Sequence, residues 1–217
     1  MNERTRCPWV PAADPLYAAY HDKEWGVPVY ADRKLFEFIV LESAQAGLNW
    51  RMILAKRAAY KKAFAGFDPR KVARFTERDA ARLMRNPDIV RNGMKIRATI
   101  ANARAFCAVQ KEFGSFARYA WKFVNNVPVA RAVRGPKDYR ATSPESAALA
   151  HDMRKRGFRF FGPVIAYSHM QATGMVNDHA VNCFRRKAVH KLVRRMPAAQ
   201  GIAPRPGNVT IRKSARP

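Results

Sequence analysis

The chain has 217 residues, of which 48% are hydrophobic and 11% aromatic, so it can bury a substantial interior and is not predicted to be disordered throughout. It carries 41 lysines and arginines against 16 acidic residues, a formal net charge of +25, which favours a polyanionic partner, nucleic acid above all. No stretch approaches the roughly 20 apolar residues of a membrane span and no hydrophobic signal-peptide core is present, so we expect a cytoplasmic protein with no membrane partner.

Helix-start signals recur along the chain, whereas strand signals are scarce. A capping side chain precedes a proline at residues 14–15, 68–69 and 143–144. Asp32 and Thr76 are predicted as further N-caps, the latter with Asp79 three residues on. Apolar residues recur at intervals of three and four in segments such as LFEFIVL and PVIAYSHMQA. We therefore predict an all-α fold of about seven to nine short helices with little or no sheet.

Aromatic side chains are concentrated near the N-terminus. Trp9, Tyr17, Tyr20 and Trp25 lie close together in the sequence, and Trp50 follows the next predicted helix. Aromatic residues at helical spacing, such as Tyr17 and Tyr20, ordinarily belong to a core. In a basic protein, flat rings can also form a pocket that stacks a nucleobase, so both interpretations stay open.

A carboxylate lies on the apolar side of the helix predicted from about Arg33 to Ala46. Glu42 follows Phe38 by four residues and Ile39 by three, which places it on the hydrophobic stripe. Because an isolated buried charge is costly, Glu42 must be hydrogen-bonded, ion-paired or kept for chemistry. An interior salt bridge with an arginine and a role in catalysis both fit the pattern.

Four residues have side chains suited to a metal ion. Cys7 and His21 are near the N-terminus, while His179 and Cys183 are four residues apart, a spacing that on a helix would direct both at one ion. Three widely spaced cysteines, Cys107 included, do not form the disulfide framework of a secreted protein. Spacing alone leaves free thiols and ordinary histidines as the alternative, because nothing local brings the two pairs together.

The segment RLMRNPDIVRNGMKIRATIANARAF predicts two helices joined by a hairpin. One helix ends near residues 86–87, a turn contains the Asn-Gly pair at 92–93, and a long helix begins near Met94. Backbone N–H groups beside a helix N-terminus suit phosphate. The basic side chains expected to contact the DNA backbone there are Arg91, Lys95 and Arg97. An ordinary helical hairpin with a solvated basic face is the alternative.

The C-terminal residues 184–217 contain ten lysines and arginines and no acidic residue, and they are rich in proline and glycine. This composition predicts a basic, mostly disordered tail after a helical domain spanning residues 1–183. Such a tail could hold a phosphate backbone loosely, or it could only increase solubility.

Five segments carry a resemblance to a known family: CPWV, DPLYAAYHDKEWGVP, KLFEFIVLESAQAGLNW, NGMKI and KRGFRFFGPVIAYSHMQATGMVNDHAVNC. Together they span most of residues 7–183, and they resemble the 3-methyladenine DNA glycosylase I (Tag) family of the helix-hairpin-helix superfamily. The resemblance implies a helix-hairpin-helix glycosylase fold in which a structural zinc ion joins the N- and C-terminal segments.

The resemblance also implies roles for residues of this chain. Glu42 is expected to be catalytic, Tyr20 to contact the flipped base and Trp50 to stack on it. Further residues are expected to line the base pocket: Trp9, Tyr17, Trp25 and Ser168. Gly47 and Leu48 are expected to enter the gap left by the extruded nucleotide. The implied zinc ligands are Cys7, His21, His179 and Cys183.

The implied reaction is hydrolysis of the N-glycosidic bond of 3-methyladenine in alkylated double-stranded DNA, as a step of base-excision repair. A monofunctional, monomeric enzyme of the bacterial cytosol and nucleoid is expected. Methylation leaves the base cationic and a good leaving group, so recognition by electron-rich rings and a carboxylate could supply most of the catalysis.

Two other functions are compatible with parts of the pattern. A glycosylase with lyase activity would use a lysine as Schiff-base nucleophile, and Lys95 lies in a suitable neighbourhood, although IVRNGMK lacks the hairpin pattern of those enzymes. A zinc-stabilised module that binds DNA or RNA without catalysis would share the charge and the aromatic residues. Such a module would not explain Glu42, because a buried anion opposes the binding of phosphates.

Overall fold

The computed structural model describes residues 4–193, and within this range it contains ten α-helices. They are α1 (Pro15–Lys23), α2 (Asp32–Gln45), α3 (Trp50–Ala63), α4 (Pro69–Ala73), α5 (Glu77–Met84), α6 (Gly93–Phe113), α7 (Phe116–Trp121), α8 (Pro144–Lys155), α9 (Pro163–Ala172) and α10 (Phe184–Val193). Single 3-10 turns occupy Ala65–Phe67, Lys122–Val124 and Pro136–Asp138. None of these helices is long and apolar enough to cross a membrane.

Two very short strands form the sheet found in the described residues. Strand β1 (Val129–Ala130) pairs in parallel with β2 (Val176–Asn177), with Val129 opposite Val176. The fold is thus mostly helical with almost no sheet, as the sequence predicts, although the helices slightly outnumber the expectation.

The described residues form two compact units. Unit 1 contains residues 4–28, 121–141 and 170–193, and so combines α1, α10 and the two strands. Unit 2 contains residues 29–120 and 142–169. In unit 2 the long helix α6 packs against α2, α4 and α5, and its core includes a stacked pair of rings, Phe106 and Phe116, with centroids 4.2 Å apart.

Several helices have capping side chains at the N-terminal positions that the sequence predicts. Asp14 accepts hydrogen bonds from the first turn of α1, Asp68 from that of α4, and Ser143 from that of α8. The Asp79 carboxylate accepts hydrogen bonds from the N–H and the hydroxyl of Thr76 at the start of α5. These predictions are confirmed, and they depend on local signals alone, because each accepting side chain and its donors lie within one turn of helix.

Asp32 was predicted as the N-cap of α2, and this prediction is wrong. The N-cap is Ala31, and Asp32 is the first residue of the helix. Its carboxylate accepts hydrogen bonds from the N–H groups of Phe116 and Ala117, both at 2.9 Å, and from the Gln110 amide at 2.6 Å. Asp32 therefore caps α7, which is distant in the sequence.

Helix α10 occupies a segment for which the sequence predicted disorder. The structure corrects that prediction for Phe184–Val193. Val189 is fully buried in unit 1, and this apolar contact can offset the loss of chain entropy despite the basic composition. Residues 194–217 of the predicted tail lie outside the described residues, and the domain boundary at 183 stays a prediction.

Candidate functional site

Glu42 is buried on α2 and makes one strong polar contact. Its Oε2 atom lies 3.0 Å from Nδ1 of His169, which is fully buried on α9. Its other oxygen, Oε1, is buried and has no hydrogen-bond partner among the described residues. The partner is thus a histidine, and not an arginine as one interpretation of the sequence proposed.

Burial raises the pKa of Glu42 above its ordinary value, and the contact with His169 partly opposes this effect. A buried carboxylate oxygen without a donor is unfavourable in the free protein. A bound group that supplies a positive charge or an N–H donor to Oε1 would remove this cost. The geometry therefore suits recognition of a cationic or hydrogen-bond-donating ligand.

His169 is a residue of the site that the sequence analysis missed. Its ring meets the Phe161 ring edge-on, with centroids 5.5 Å apart, and both side chains are buried in unit 2. The apolar stripe of α9 is the signal that could have identified its burial, because His169 follows the buried Ala166 by three residues on an apolar helix.

The loop between α2 and α3 exposes an apolar side chain. Leu48 is 37% exposed, and the backbone turns at Gly47 with φ of 76°. The Leu48 N–H donates to the Gln45 carbonyl at 2.6 Å, and the Gln45 side-chain amide donates back to the Leu48 carbonyl at 3.0 Å. Two reciprocal hydrogen bonds therefore fix the conformation of the loop that is predicted to enter the DNA, which is called the insertion loop below.

The other residues predicted for the base pocket are divided between the two units. Trp50, the first residue of α3, and Ser168 on α9 are half-buried in unit 2 with Glu42. The Ser168 hydroxyl donates to the Val164 carbonyl at 3.2 Å. Tyr20 is buried on α1 in unit 1.

The remaining pocket candidates form an aromatic cluster within unit 1. The Trp9 ring meets those of Tyr17 and Trp25 edge-on, with centroid distances of 5.8 and 4.9 Å. The Trp25 ring also meets the ring of His179, at 4.7 Å. Trp25 therefore packs against one of the predicted metal ligands, so its burial has a structural explanation independent of a base.

The four predicted metal ligands come together in unit 1. The donor atoms of Cys7, His21, His179 and Cys183 all lie within 4.8 Å of one another, and all four residues are buried. Sulfur-to-nitrogen distances across the cluster are 3.4, 3.5 and 3.6 Å. A tetrahedral zinc ion with ordinary bond lengths has S···N edges of about 3.5–3.6 Å. The donor set and its spacing thus fit a closed four-ligand metal site.

Neighbouring groups orient both imidazoles toward this cluster. His21 Nδ1 lies 2.8 Å from the Asp22 carboxylate, which leaves Nε2 for the ion. Asp22 in turn accepts hydrogen bonds from the Arg6 guanidinium. His179 Nε2 lies 3.0 Å from the Trp25 carbonyl, which leaves Nδ1 for the ion. Such outer contacts set the tautomer of a metal-binding histidine.

Cys7 and Cys183 share a proton through a hydrogen bond, so their two thiols titrate together as a pair. A hydrogen bond from Cys7 lowers the pKa of Cys183, with a further contribution from His179. The reciprocal hydrogen bond with Cys183, together with burial, raises the pKa of Cys7. One thiolate is therefore favoured before any metal binds, and the thiolate is the form that ligates metals.

The predicted hairpin joins α5 to α6, with Asn92 as the N-cap of α6. Helix α3 supports it: Lys56 Nζ donates to the carbonyls of Pro87 and Asp88, both at 3.2 Å. The Val90 N–H donates to the Tyr60 hydroxyl at 3.1 Å. The hairpin backbone is consequently held in place without help from a ligand.

The three basic residues predicted to contact the DNA backbone have different environments. Arg91 is exposed. Arg97 is exposed and forms a salt bridge with Glu77 at 2.9 Å. Lys95 is half-buried, and its Nζ donates to the carbonyls of Ala44 and Ala46, at 2.9 and 2.5 Å; burial lowers its pKa.

Comparison with known proteins shows the family of this chain. A sequence model described as methyladenine glycosylase matches residues 9–186. The chain is 46% identical over 178 residues to DNA-3-methyladenine glycosylase 1 of Escherichia coli (strain K12), and the match covers 82% of this chain and 95% of that relative. The chain belongs to the methyladenine glycosylase family. Members of this family are hydrolases of N-glycosyl bonds, which favours an enzyme over a non-catalytic binding module.

Solved structures of methyladenine glycosylases share the fold. A crystal structure of 3-methyladenine DNA glycosylase I (TAG) superposes with a TM-score of 0.81 at 48% identity, covering 83% of this chain and 98% of that one. A Tyr-to-Phe variant of such an enzyme in complex with 3-methyladenine superposes with a TM-score of 0.79 at 36% identity, covering 80% of this chain and 94% of that one.

Proposed function

We propose that this methyladenine glycosylase excises 3-methyladenine from alkylated double-stranded DNA. It extrudes the damaged nucleotide, hydrolyses the N-glycosidic bond and leaves an abasic site for base-excision repair. It acts as a monomer in the bacterial cytosol and nucleoid. The observation that carries the proposal is the buried Glu42 carboxylate, of which one oxygen is held by His169 and the other has no partner.

Charge explains how such a site would select its substrate. Methylation of the adenine ring nitrogen leaves the base cationic, so an ionised Glu42 would attract it more strongly than neutral adenine. The electron-rich face of Trp50, which lies in unit 2 with Glu42, would favour a cation by roughly 0.5–2 kcal/mol. The resemblance to the family assigns further residues to base binding, and these assignments stay predictions from the sequence: Ser168, Trp9, Tyr17, Tyr20 and Trp25. A damaged, weakly paired base is also easier to extrude.

Bond cleavage in this proposal needs little acid catalysis. The cationic base departs as a neutral molecule and leaves a sugar with oxocarbenium character. The negative charge of Glu42 stabilises the positive charge that persists through this step. Water then adds to C1′ and loses a proton to the solvent, which yields the abasic site.

Contacts to the duplex are assigned to unit 2. Leu48, presented by the turn at Gly47, is proposed to fill the gap that the extruded nucleotide leaves. The hairpin between α5 and α6 is proposed to offer backbone N–H groups to a phosphate, with Arg91 and Arg97 nearby. The geometry that supports this assignment is the exposed Leu48 side chain and the exposed Arg91.

We further propose that the metal of the Cys7, His21, His179 and Cys183 cluster is zinc. Four nitrogen and sulfur ligands leave no open coordination position, so the ion would stabilise the fold and take no part in the reaction. It would join segments from both ends of the described chain.

The test is release of free base. The parent enzyme is incubated with methylated duplex DNA, and 3-methyladenine is measured by mass spectrometry; we expect release with the parent and a loss of about 10²–10³-fold with Glu42→Gln, which keeps the shape but deletes the charge. Glu112→Gln, an exposed carboxylate on α6, is the matched control. No release by the parent would contradict the proposed function. A borohydride-trapped adduct on abasic DNA would contradict the hydrolytic mechanism.

A further inference from the structure

Lys95 connects two parts of unit 2. Its backbone lies in the first turn of α6, directly after the hairpin, where its N–H donates to the Asn92 side chain at 3.1 Å. Its Nζ donates to the carbonyls of Ala44 and Ala46, at 2.9 and 2.5 Å. One side chain thus joins the start of the hairpin helix to the end of α2.

The carbonyls that Lys95 holds are at the end of the helix that carries Glu42. The last carbonyls of an α-helix lack partners within the helix, and a cation placed there is favourable. Ala44 is buried and Ala46 half-buried, so bulk water is a poor substitute for the ammonium group. Loss of this group would remove the ammonium donor from the carbonyls of Ala44 and Ala46.

The insertion loop begins where these contacts end. Gly47 follows Ala46 directly. The Leu48 N–H donates to the Gln45 carbonyl, and the Gln45 side-chain amide donates to the Leu48 carbonyl. Lys95 therefore holds the residues on either side of Gln45, the residue that fixes Leu48. A displacement of the hairpin helix would be transmitted through Lys95 to this loop.

We propose that Lys95 is a positioning residue that couples the hairpin to the Leu48 loop, and is neither a phosphate ligand nor a nucleophile. This inference rests on the proposed function, because it requires the hairpin to bind a phosphate and the loop to enter the duplex. Two of the three ammonium protons are directed at carbonyls of the protein, so the group is engaged before DNA binds.

The first experiment compares Lys95→Met with Lys111→Met, which removes the same charge from the exposed last turn of the same helix. We expect single-turnover excision at saturating enzyme to fall about 10–100-fold for Lys95→Met, because a loop misplaced by an ångström has effects of this size. Binding to undamaged duplex should show the same salt dependence in both variants. A log–log slope that is shallower by about 0.9 in Lys95→Met alone would identify Lys95 as a phosphate ligand and overturn the proposal.

The second experiment tests whether Lys95 acts through the loop. If it does, Lys95→Met should have little further effect on excision once Leu48 is replaced by alanine, whereas independent residues give additive effects. Fluorescence of 2-aminopurine beside the target nucleotide measures extrusion without requiring cleavage, and we expect the same non-additivity there. Additive effects in both assays would contradict the proposal.

Thermal unfolding is measured for every variant. If Lys95→Met unfolds below the assay temperature, the same comparisons are made with Lys95→Arg, whose planar group keeps the charge but cannot place one nitrogen between both carbonyls. A parent that releases no base contradicts the proposed function. An active parent with Lys95→Met indistinguishable from Lys111→Met contradicts this inference alone.

Discussion

At the scale of single residues, the pair formed by Glu42 and His169 explains how a buried carboxylate is tolerated. One oxygen is satisfied by the imidazole, and the other is left for a ligand. Removing one partner of a buried pair destabilises a protein more than replacing both partners with apolar residues, because the remaining charge is buried without compensation. His169 should therefore control how readily Glu42 ionises.

The first prediction concerns pH. Because burial raises the pKa of Glu42, protonation begins above the ordinary range of a carboxyl, and excision should be lost as the pH falls through this raised value. His169 opposes the rise. His169→Phe should thus move the acidic midpoint of the single-turnover rate to higher pH, while His169→Gln, which keeps an N–H donor, should move it less.

The control for this profile is His151→Gln, which alters an exposed histidine on α8. Its midpoint should equal that of the parent. If His169→Phe also has the parental midpoint, His169 does not govern the ionisation of Glu42.

At the scale of elements, the sequence predicted well wherever the signal and its effect lie within one helix. The caps at Asp14, Asp68 and Ser143 are such cases, and α6 begins at Gly93, one residue before the predicted start near Met94. The prediction for Asp32 is wrong because its carboxylate accepts hydrogen bonds from the start of α7. No local pattern reveals a partner so far along the chain.

The second prediction follows from this long-range cap. Asp32→Ala removes acceptors from three donors at the start of α7 and on α6, and should lower the free energy of unfolding by about 1–2 kcal/mol. Asp32→Asn should lower it less, because its side-chain oxygen can still accept a hydrogen bond. Urea denaturation measures both. Asp138→Ala, which removes an exposed acceptor within a 3-10 turn, should cost less than Asp32→Ala; the reverse order would contradict the assigned role.

At the scale of the whole molecule, the net charge of +25 predicted nucleic acid as the class of partner, whereas the Cys/His cluster could not be predicted from spacing. Cys7 and His21 belong to the N-terminal segment, and His179 and Cys183 to the C-terminal part of unit 1. Only tertiary structure brings the two pairs together, so the resemblance to a family, and no local pattern, anticipated the cluster. Glu42 differs, because its burial follows from the apolar stripe of its own helix, whereas its contact with His169 joins α2 to α9 and no local pattern reveals that pairing.

The last prediction tests the metal. The parent should contain one zinc ion per chain by elemental analysis, and Cys183→Ala should lose the ion and unfold at a lower temperature, because the free energy of metal binding contributes to folding. The excision rate per folded molecule should change little, because a zinc ion with four protein ligands has no open coordination position for catalysis. Cys107→Ala is the matched control, because this half-buried cysteine on α6 lies outside the cluster and its loss should leave both zinc content and unfolding temperature near those of the parent. A Cys183→Ala variant that keeps a full equivalent of zinc and the parental unfolding temperature would show that the four residues do not form the metal site.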